Sequence, residues 1–579
     1  MKLKASAAMR PLACGMSVFL GLAFCLPAAA QELPGTLPGQ TPQDLDPAQH
    51  TPAIEPALID PATLAVTAGC PFAGKGEITL SRIDVSGATL VPAEAIHAAV
   101  ADLVGQPADA AILCTARDRV AGVYAAHGEA LAAVDIPEQN LTAGVLTLRV
   151  TEGRVRSVVL ENAEALGPSE ALVRAYLGAL DNGGATRWSD VERAFLLIRE
   201  IPGADVRFAL RRSNDGSADG LEVVATASPR RKLDIGVSAQ NLGSDELGRE
   251  SVSLRADANS FTPFGERTSL VLFSSLGGEQ KVVQLLEEVR IGASGLTLLG
   301  DVAYGRSEPG GGLAALELEG HSLVSRLGMR YPLIKTRALS LDTGARIEAI
   351  DQTNDLGFLR SVGLGLIPLF EEKLRVLAVE TTARWQPPGS GLAATAGLEV
   401  RKGLGILGAS ESGDPLLSRA EGRPDFTSAK LGFGARWSAH PAAAVTPFLA
   451  FNGAAQWSNA PLPAYEEFQV GNYTIGRSFD PGAASGDSAI AGQFEAGWDF
   501  RGAASAGSLF LFADTAHLRN RDAASEDATL RSIGLGGRAY TRFGQFAMTW
   551  AVPQTAAFPG GEEPGARVLF TFNHTFSIR

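Results

Sequence analysis

The chain has 579 residues, with 50 Lys and Arg against 63 Asp and Glu, and a formal net charge of −13. A chain this acidic is a poor nucleic-acid binder, because phosphate contacts need a basic surface. It has no uninterrupted apolar run of 18 residues, which excludes a helical membrane span and leaves a closed β-barrel as the route into a bilayer.

At the amino terminus, Lys2, Lys4 and Arg10 precede the apolar run Met16–Leu26, and small residues stand at Ala28 and Ala30. That run is too short to span a bilayer, and the pattern reads as a cleaved secretory signal over residues 1–30. Cleavage removes three positive charges and takes the net charge from −13 to about −16. Cys70 and Cys114 are the cysteines that remain, which suits an oxidising periplasm and a single disulfide. Residues 31–75 form a proline-rich segment or linker.

Two units of the same design follow. The first, residues 76–154, reads as a strand over Ile78–Val85, helices over Pro92–Val104 and Ala116–His127, and strands over Leu131–Ile136 and Val145–Val150. The second, residues 155–229, repeats the order with Val155–Leu160, Ser169–Leu180, Ser189–Ile201, Ala204–Arg211 and Leu221–Ala227. This β-α-α-β-β duplication is an internal repeat.

From residue 230 to 579 the texture changes to short segments of period-two polarity. Val252, Leu254, Ala256 and Ala258 share one face, while Ser251, Ser253, Arg255 and Asp257 share the other. Leu296, Leu298, Val302 and Tyr304 likewise oppose Thr297, Asp301 and Ala303. A soluble sandwich also alternates, but the persistence of the pattern over about 350 residues favours a membrane barrel with a polar lumen. At roughly 20–22 residues per strand and connection, that length predicts about 16 antiparallel strands.

Gly69–Lys75 fits the start of a phosphate-binding loop, but Gly76 stands where Ser or Thr must hold magnesium and a strand pattern follows. The seven histidines are scattered, and neither GxSxG nor HExxH occurs. The sequence therefore predicts no enzyme, no catalytic residues, no metal and no cofactor.

The stretch Ile136–Gly153, IPEQNLTAGVLTLRVTEG, resembles the first POTRA domain of two-partner secretion transporters, the TpsB family of ShlB, FhaC and HecB type. Thr474–Gly482, TIGRSFDPG, resembles the family's sixth extracellular loop, and Tyr331–Ile334 and Asn241–Arg249 are similar to its turn and first-loop signatures. The resemblance covers about residues 70–579. It implies two periplasmic POTRA domains before an outer-membrane barrel, and a disulfide between Cys70 and Cys114. It also implies passage of a large secreted exoprotein, an adhesin or haemolysin, through the barrel, which is expected to contact outer-membrane lipid and to be a monomer, although the sequence does not say whether it works alone. Arg477 and Phe479 would lie on a loop folded into the lumen, with Arg477 forming a bidentate pair with Asp514 on the wall.

Two departures stand out. Ser478 occupies the glycine of the family's Arg-Gly-aromatic motif, which loses backbone freedom there, and residues 31–70 offer no equivalent of the family's plug helix. A BamA-like assembly factor is the alternative reading, but those proteins usually carry three to five POTRA units. A passive porin or receptor has no use for such units and ranks last.

Overall fold

The computed structural model describes residues 70–181, 183–360, 363, 365–441, 443–471, 475–502, 505–522, 526–556 and 564–579. The secretory signal, the proline-rich residues 31–69 and the question of a plug helix lie outside them.

The first unit holds strands Glu77–Thr79, Arg82–Ser86, Pro107–Asp109, Ala132–Asp135 and Val145–Glu152, with helices α1 (Ala93–Val100) and α2 (Ile112–Ala126). The single strand expected over Ile78–Val85 is broken at Leu80–Ser81. Leu80 turns fully into the core, and Glu77–Thr79 pairs instead with Pro107–Asp109. The Cys70–Cys114 disulfide, with Cα atoms 5.7 Å apart, ties the approach to this ribbon to the start of α2. Val145–Glu152 is the central strand, parallel to Arg82–Ser86 and antiparallel to Ala132–Asp135. Ile96, Val100, Leu113, Val120 and Tyr124 from the helices pack on Leu146, Leu148 and Val150.

The last residues of that central strand explain the Thr-Glu-Gly signature. Glu152 is buried, and its carboxylate accepts the backbone N–H groups of Thr89 and Leu90 at 2.7 Å each. It also accepts the hydroxyl of Thr89 and that of Tyr124, the latter at 2.8 Å. Burial pushes the Glu152 carboxyl up, but these donors outweigh it and hold the group below its usual range. A Cβ on Gly153 would lie 2.8 Å from the Leu131 carbonyl and 2.6 Å from Leu221, so a side chain has no room where the two units abut.

The second unit has strands Arg154–Glu161, Asp205–Arg212 and Gly220–Ser228, with helices α3 (Glu170–Gly178) and α4 (Trp188–Arg199). Gly220–Ser228 is central, and Phe195 of α4 stacks on Phe208 with ring centroids 4.0 Å apart. The unit stands on the barrel's near end. Arg290 reaches from the barrel to the carbonyl of Glu200 at 2.7 Å and to that of Gly265 at 2.6 Å. Arg193 donates to the Ser294 carbonyl at 2.9 Å, and the Ser260 hydroxyl donates to the Pro202 carbonyl at 2.7 Å. Burial against a third turn pushes the Glu192 carboxyl up, although it accepts a bond from the Arg337 backbone.

Among the described residues, sixteen strands from Leu233–Gln240 to Arg567–Ile578 form a closed antiparallel barrel. Closure runs from Thr571 opposite Gln240 to Ile578 opposite Leu233. The even count brings both barrel ends to the side of the N-terminal units. The alternation is read out on two faces: along Ala506–Arg519, Ser508, Phe510, Phe512, Asp514 and Ala516 are buried while Leu509 and Leu511 are exposed. Leu298 faces outward and Thr297 inward, as their period-two positions predict. No helix among the described residues is long and apolar enough to cross a membrane.

Two predictions follow from this packing. Leu327 is 66% exposed on the outer wall. Leu327→Arg should cost about 2–4 kcal/mol if the residue sits near the bilayer midplane, whereas Leu327→Ala should insert nearly as wild type. Heat-modifiable barrel in isolated membranes reads this, and equal insertion of both variants would reject the face assignment.

Glu152→Gln should destabilise the soluble two-unit fragment, residues 70–229, by about 2 kcal/mol at pH 7, because buried donors lose an ionised acceptor. A carboxyl held low in the folded state contributes stability that is complete above its unfolded pKa, about 4.3, and is lost as pH falls below it. The gap between wild type and variant in denaturant unfolding should therefore shrink from pH 6 to pH 3. A constant gap would show that ionisation of Glu152 is not the source.

Candidate functional site

The connection between the eleventh strand, Val445–Ser458, and the twelfth, Ser488–Arg501, does not stay outside the barrel. Its Val470, Ile475, Phe479 and Ala484 pack against Ala489, Ala491, Ala516, Leu518 and Leu530 of the wall, forming a small apolar core inside the lumen. Two glycines make the fold-back possible. Gly471 has φ +99°, and a Cβ there would fall 1.8 Å from the Asp480 carbonyl; Gly476 has φ +80° and abuts Val470. Ser478 is fully buried and is not among the residues with positive φ, so the glycine replaced there is not needed for the turn. The left-handed step is taken one residue before Arg477 instead.

Arg477 and Asp514 lie together, both buried. The Arg477 backbone N–H donates to Asp514 Oδ2 at 3.1 Å, and the guanidinium Nε is 3.9 Å from the same oxygen. The short side-chain contact runs elsewhere: Arg477 Nη2 donates to Glu495 Oε1 at 2.8 Å. The contacts between Arg477 and Asp514 thus differ from the two-pronged bond expected of them. Glu495 is the hub, because it also takes both prongs of Arg538 at 2.8 Å each and the Gln493 amide at 2.8 Å. Arg477 lies over the Phe512 ring at 4.1 Å and Arg538 over Phe510 at 4.2 Å. The Ser532 hydroxyl donates to Asp514 Oδ2 at 3.1 Å, while Asp514 Oδ1 is buried without a hydrogen-bond partner among the described residues.

Three further contacts hold the same loop. Near its start, Glu466 accepts two bonds from Arg401 at 2.8 and 2.7 Å, and Arg401 also binds Glu348 and Glu399. Near its end, Asp487 accepts Arg419 at 2.8 Å, and Arg419 also reaches Glu467, Asp522 and the Leu462 carbonyl. At its tip, Asp480 lies between Arg249 at 3.1 Å and Arg567 at 2.9 Å. Arg249 also holds the Asp245 carboxyl below its usual range through a hydrogen bond on an exposed loop.

Sequence reasoning named Arg477, Phe479 and Asp514 but not Glu495, Arg538, Arg401, Glu466, Arg419 or Arg567. A partial signal exists: Gln493 and Glu495 fall on the inward positions of their strand, where a charge needs a partner. Which partner it meets depends on a loop returning from outside, and strand periodicity carries no trace of that. The arrangement offers buried, multiply bonded ion pairs and a fixed loop. Among the described residues no group of His, Cys, Asp and Glu is arranged to hold a metal.

A POTRA domain model of ShlB type matches residues 78–153, and the model described as haemolysin secretion/activation protein ShlB/FhaC/HecB matches residues 219–539. An outer membrane transporter CdiB of Escherichia coli O6:K15:H31 (strain 536 / UPEC) is 30% identical over 189 residues, 32% of this chain and 30% of its own length. A second CdiB, from Escherichia coli, is 29% identical over 189 residues, so the aligned region spans under a third of these curated relatives. The solved CdiB from Escherichia coli superposes with a TM-score of 0.72 at 17% identity, covering 89% of this chain and 93% of that one. For CdiB from Acinetobacter baumannii the TM-score is 0.64 at 12% identity, with 86% and 90% covered. At such identities the superpositions speak to the fold alone.

The geometry separates the two wall carboxylates. Asp514→Asn keeps an oxygen for the Arg477 backbone N–H, whereas Glu495→Ala removes the carboxylate that Arg477 and Arg538 share, a loss of about 3–5 kcal/mol in a buried site. Chymotrypsin applied to folded protein should spare Phe479 in wild type and Asp514→Asn, and cut there in Glu495→Ala. Equal resistance of all three would show that Glu495 does not hold the loop.

Proposed function

The chain belongs to the haemolysin secretion/activation protein family ShlB/FhaC/HecB, and from that premise we propose that it carries a large secreted partner protein across the bacterial outer membrane. The observation that supports this reading most is the pairing of a closed sixteen-strand barrel with a loop held by buried ion pairs inside its lumen. A loop seated on a polar inner wall narrows the path at rest and leaves a polar route once it moves. A gated protein channel uses both.

In this reading the N-terminal units lie in the periplasm, and the second unit is a POTRA domain like the first, since it shares the β-α-α-β-β core and a matching three-stranded sheet while lacking the first unit's added two-stranded ribbon. Their sheets end in strands with one free edge, Arg82–Ser86 and Ala132–Asp135 in the first and Arg154–Glu161 and Asp205–Arg212 in the second. An extended, unfolded partner adds to such an edge through main-chain hydrogen bonds, with little demand on sequence. Docking of α4 and residues 200–203 on the barrel turns then hands the captured segment to the lumen. No chemical step is required of the chain, because folding of the partner outside supplies direction.

Arg477, Phe479, Glu495 and Asp514 form the lock of the resting state. Arg477 fixes the loop to the wall and Phe479 fills the apolar core behind it, which seats the loop where it can move aside as one unit when a polypeptide passes; a loop that has lost Arg477 strays across the path. The hydrogen-bond energy that holds the loop is modest once water replaces the protein partners, so the lock can open without unfolding the barrel.

Secretion measured against barrel level tests the proposal. A host lacking this chain should lose one large exoprotein from its medium and regain it with the wild-type chain. Arg477→Ala should restore the barrel to the membrane but lower exoprotein release at least about tenfold, a change equivalent to about 1.4 kcal/mol. An unchanged set of secreted proteins in the deletion host would reject the transport reading. Normal release from Arg477→Ala would reject the lock alone.

A further inference from the structure

The outer wall carries a cleft that transport does not use. It is an open cleft of about 420 Å³, lined by Leu285, Val302, Leu327 and Ile347 from four successive strands together with Leu407, and the charged Glu287 and Arg375 border it. Leu407 belongs to the connection after the ninth strand, on the barrel end away from the N-terminal units. The connection does not turn into the lumen there. The Leu404 N–H donates to the Arg375 carbonyl at 2.7 Å and the Ser410 N–H to the Lys373 carbonyl at 2.9 Å, so residues 404–410 run along the eighth strand. Leu407 is 76% exposed and adopts φ +51°, which is uncommon outside glycine. A leucine held in that conformation against water gains nothing, but held against lipid it buries its side chain.

Strand register places charge above this cleft. Leu285, Val302 and Ser325 are partners in adjacent strands; one outward step toward the far end stand Val283, Tyr304 and Leu323; one further step stand Lys281, Arg306 and His321. The basic row therefore lies about 13 Å along the strands from the cleft and is about 10 Å wide. Arg306 is paired with Glu308 and lies 4.0 Å from Glu319, and His321 accepts or donates a bond to the Tyr304 hydroxyl at 2.9 Å. Lys281 and His321 make no ion pair among the described residues. The cleft is continuous with the lipid-facing wall, and the basic row above it is three strands wide, broader than one phosphodiester.

We propose that this strip binds lipid A, the phosphorylated and multiply acylated lipid of the outer leaflet. One acyl chain fills the cleft beneath Leu407, and phosphate meets Lys281, Arg306 and His321. The site depends on the barrel lying in the outer membrane and is indifferent to what the barrel carries.

Native mass spectrometry of the full chain in detergent, with added hexa-acylated bisphosphorylated lipid A, tests this. Wild type should retain lipid A. Leu407→Ser and the double variant Lys281→Gln with Arg306→Gln should each weaken retention about tenfold, roughly the effect of one lost anchor. Dephosphorylated lipid A should bind wild type and the double variant equally weakly. All variants keep the inner wall, and heat-modifiability confirms the folded barrel in each. Retention equal to wild type in both variants would overturn the proposal, as would phosphatidylglycerol binding as tightly as lipid A.

Discussion

Inside a bilayer every backbone N–H and C=O must find its partner within the protein, and the rest of this structure depends on how that demand is met. The last strand returns to the first over Thr571–Ile578 and Leu233–Gln240, so no strand edge remains in the ring. Where the first strand stops short, Asn241 continues the pairing with its side chain, accepting the Phe570 N–H at 2.6 Å and donating to the Val568 carbonyl at 2.8 Å. Closure turns one face of every strand to lipid and the other to an enclosed space. In the proposed transport reading the inner face has to be polar enough for a pathway and yet occupied at rest.

Occupying that space with a loop raises a cost. The loop brings polar backbone and charged side chains into a partly dry interior, where an unpaired charge is expensive. Here the charges are shared instead of isolated: Glu495 serves Arg477, Arg538 and Gln493, and Arg401 serves Glu466, Glu348 and Glu399. A carboxylate has lone pairs for several donors and a guanidinium has five N–H groups, so such hubs satisfy many groups with few residues. An apolar plug of the same volume would be more stable and harder to open.

How much of this the sequence discloses follows from the range of each interaction. Faces such as Leu298 against Thr297 are legible because period two is a local property of the strand. The strand break at Leu80–Ser81 is not, since Ile78–Val85 alternates well enough and only the partner strand Pro107–Asp109 pulls its first residues away. Within the site, Arg477 and Asp514 are visible as motif residues, and they do meet. Glu495 is hidden because nothing local distinguishes it from other inward charges, such as Asp301 or Glu348. The function of Ser478 is likewise misjudged from the motif alone: the positive φ belongs to Gly476, so the missing glycine costs nothing there.

The tip of the loop joins the closing seam of the barrel to the seating of the loop. Asp480 is held by Arg567, which begins the last strand, and by Arg249, which lies in the connection after the first. Arg567 also donates to the Phe479 and Gly243 carbonyls, the one on the loop and the other on that same first connection. One carboxylate and one guanidinium thus bridge the inward loop and both sides of the closing seam at its far end. The loop cannot leave the lumen without giving up contacts on both flanks of the seam, and the seam cannot separate there without pulling on the loop. The two elements that a passing polypeptide would have to disturb are therefore held by the same few charges.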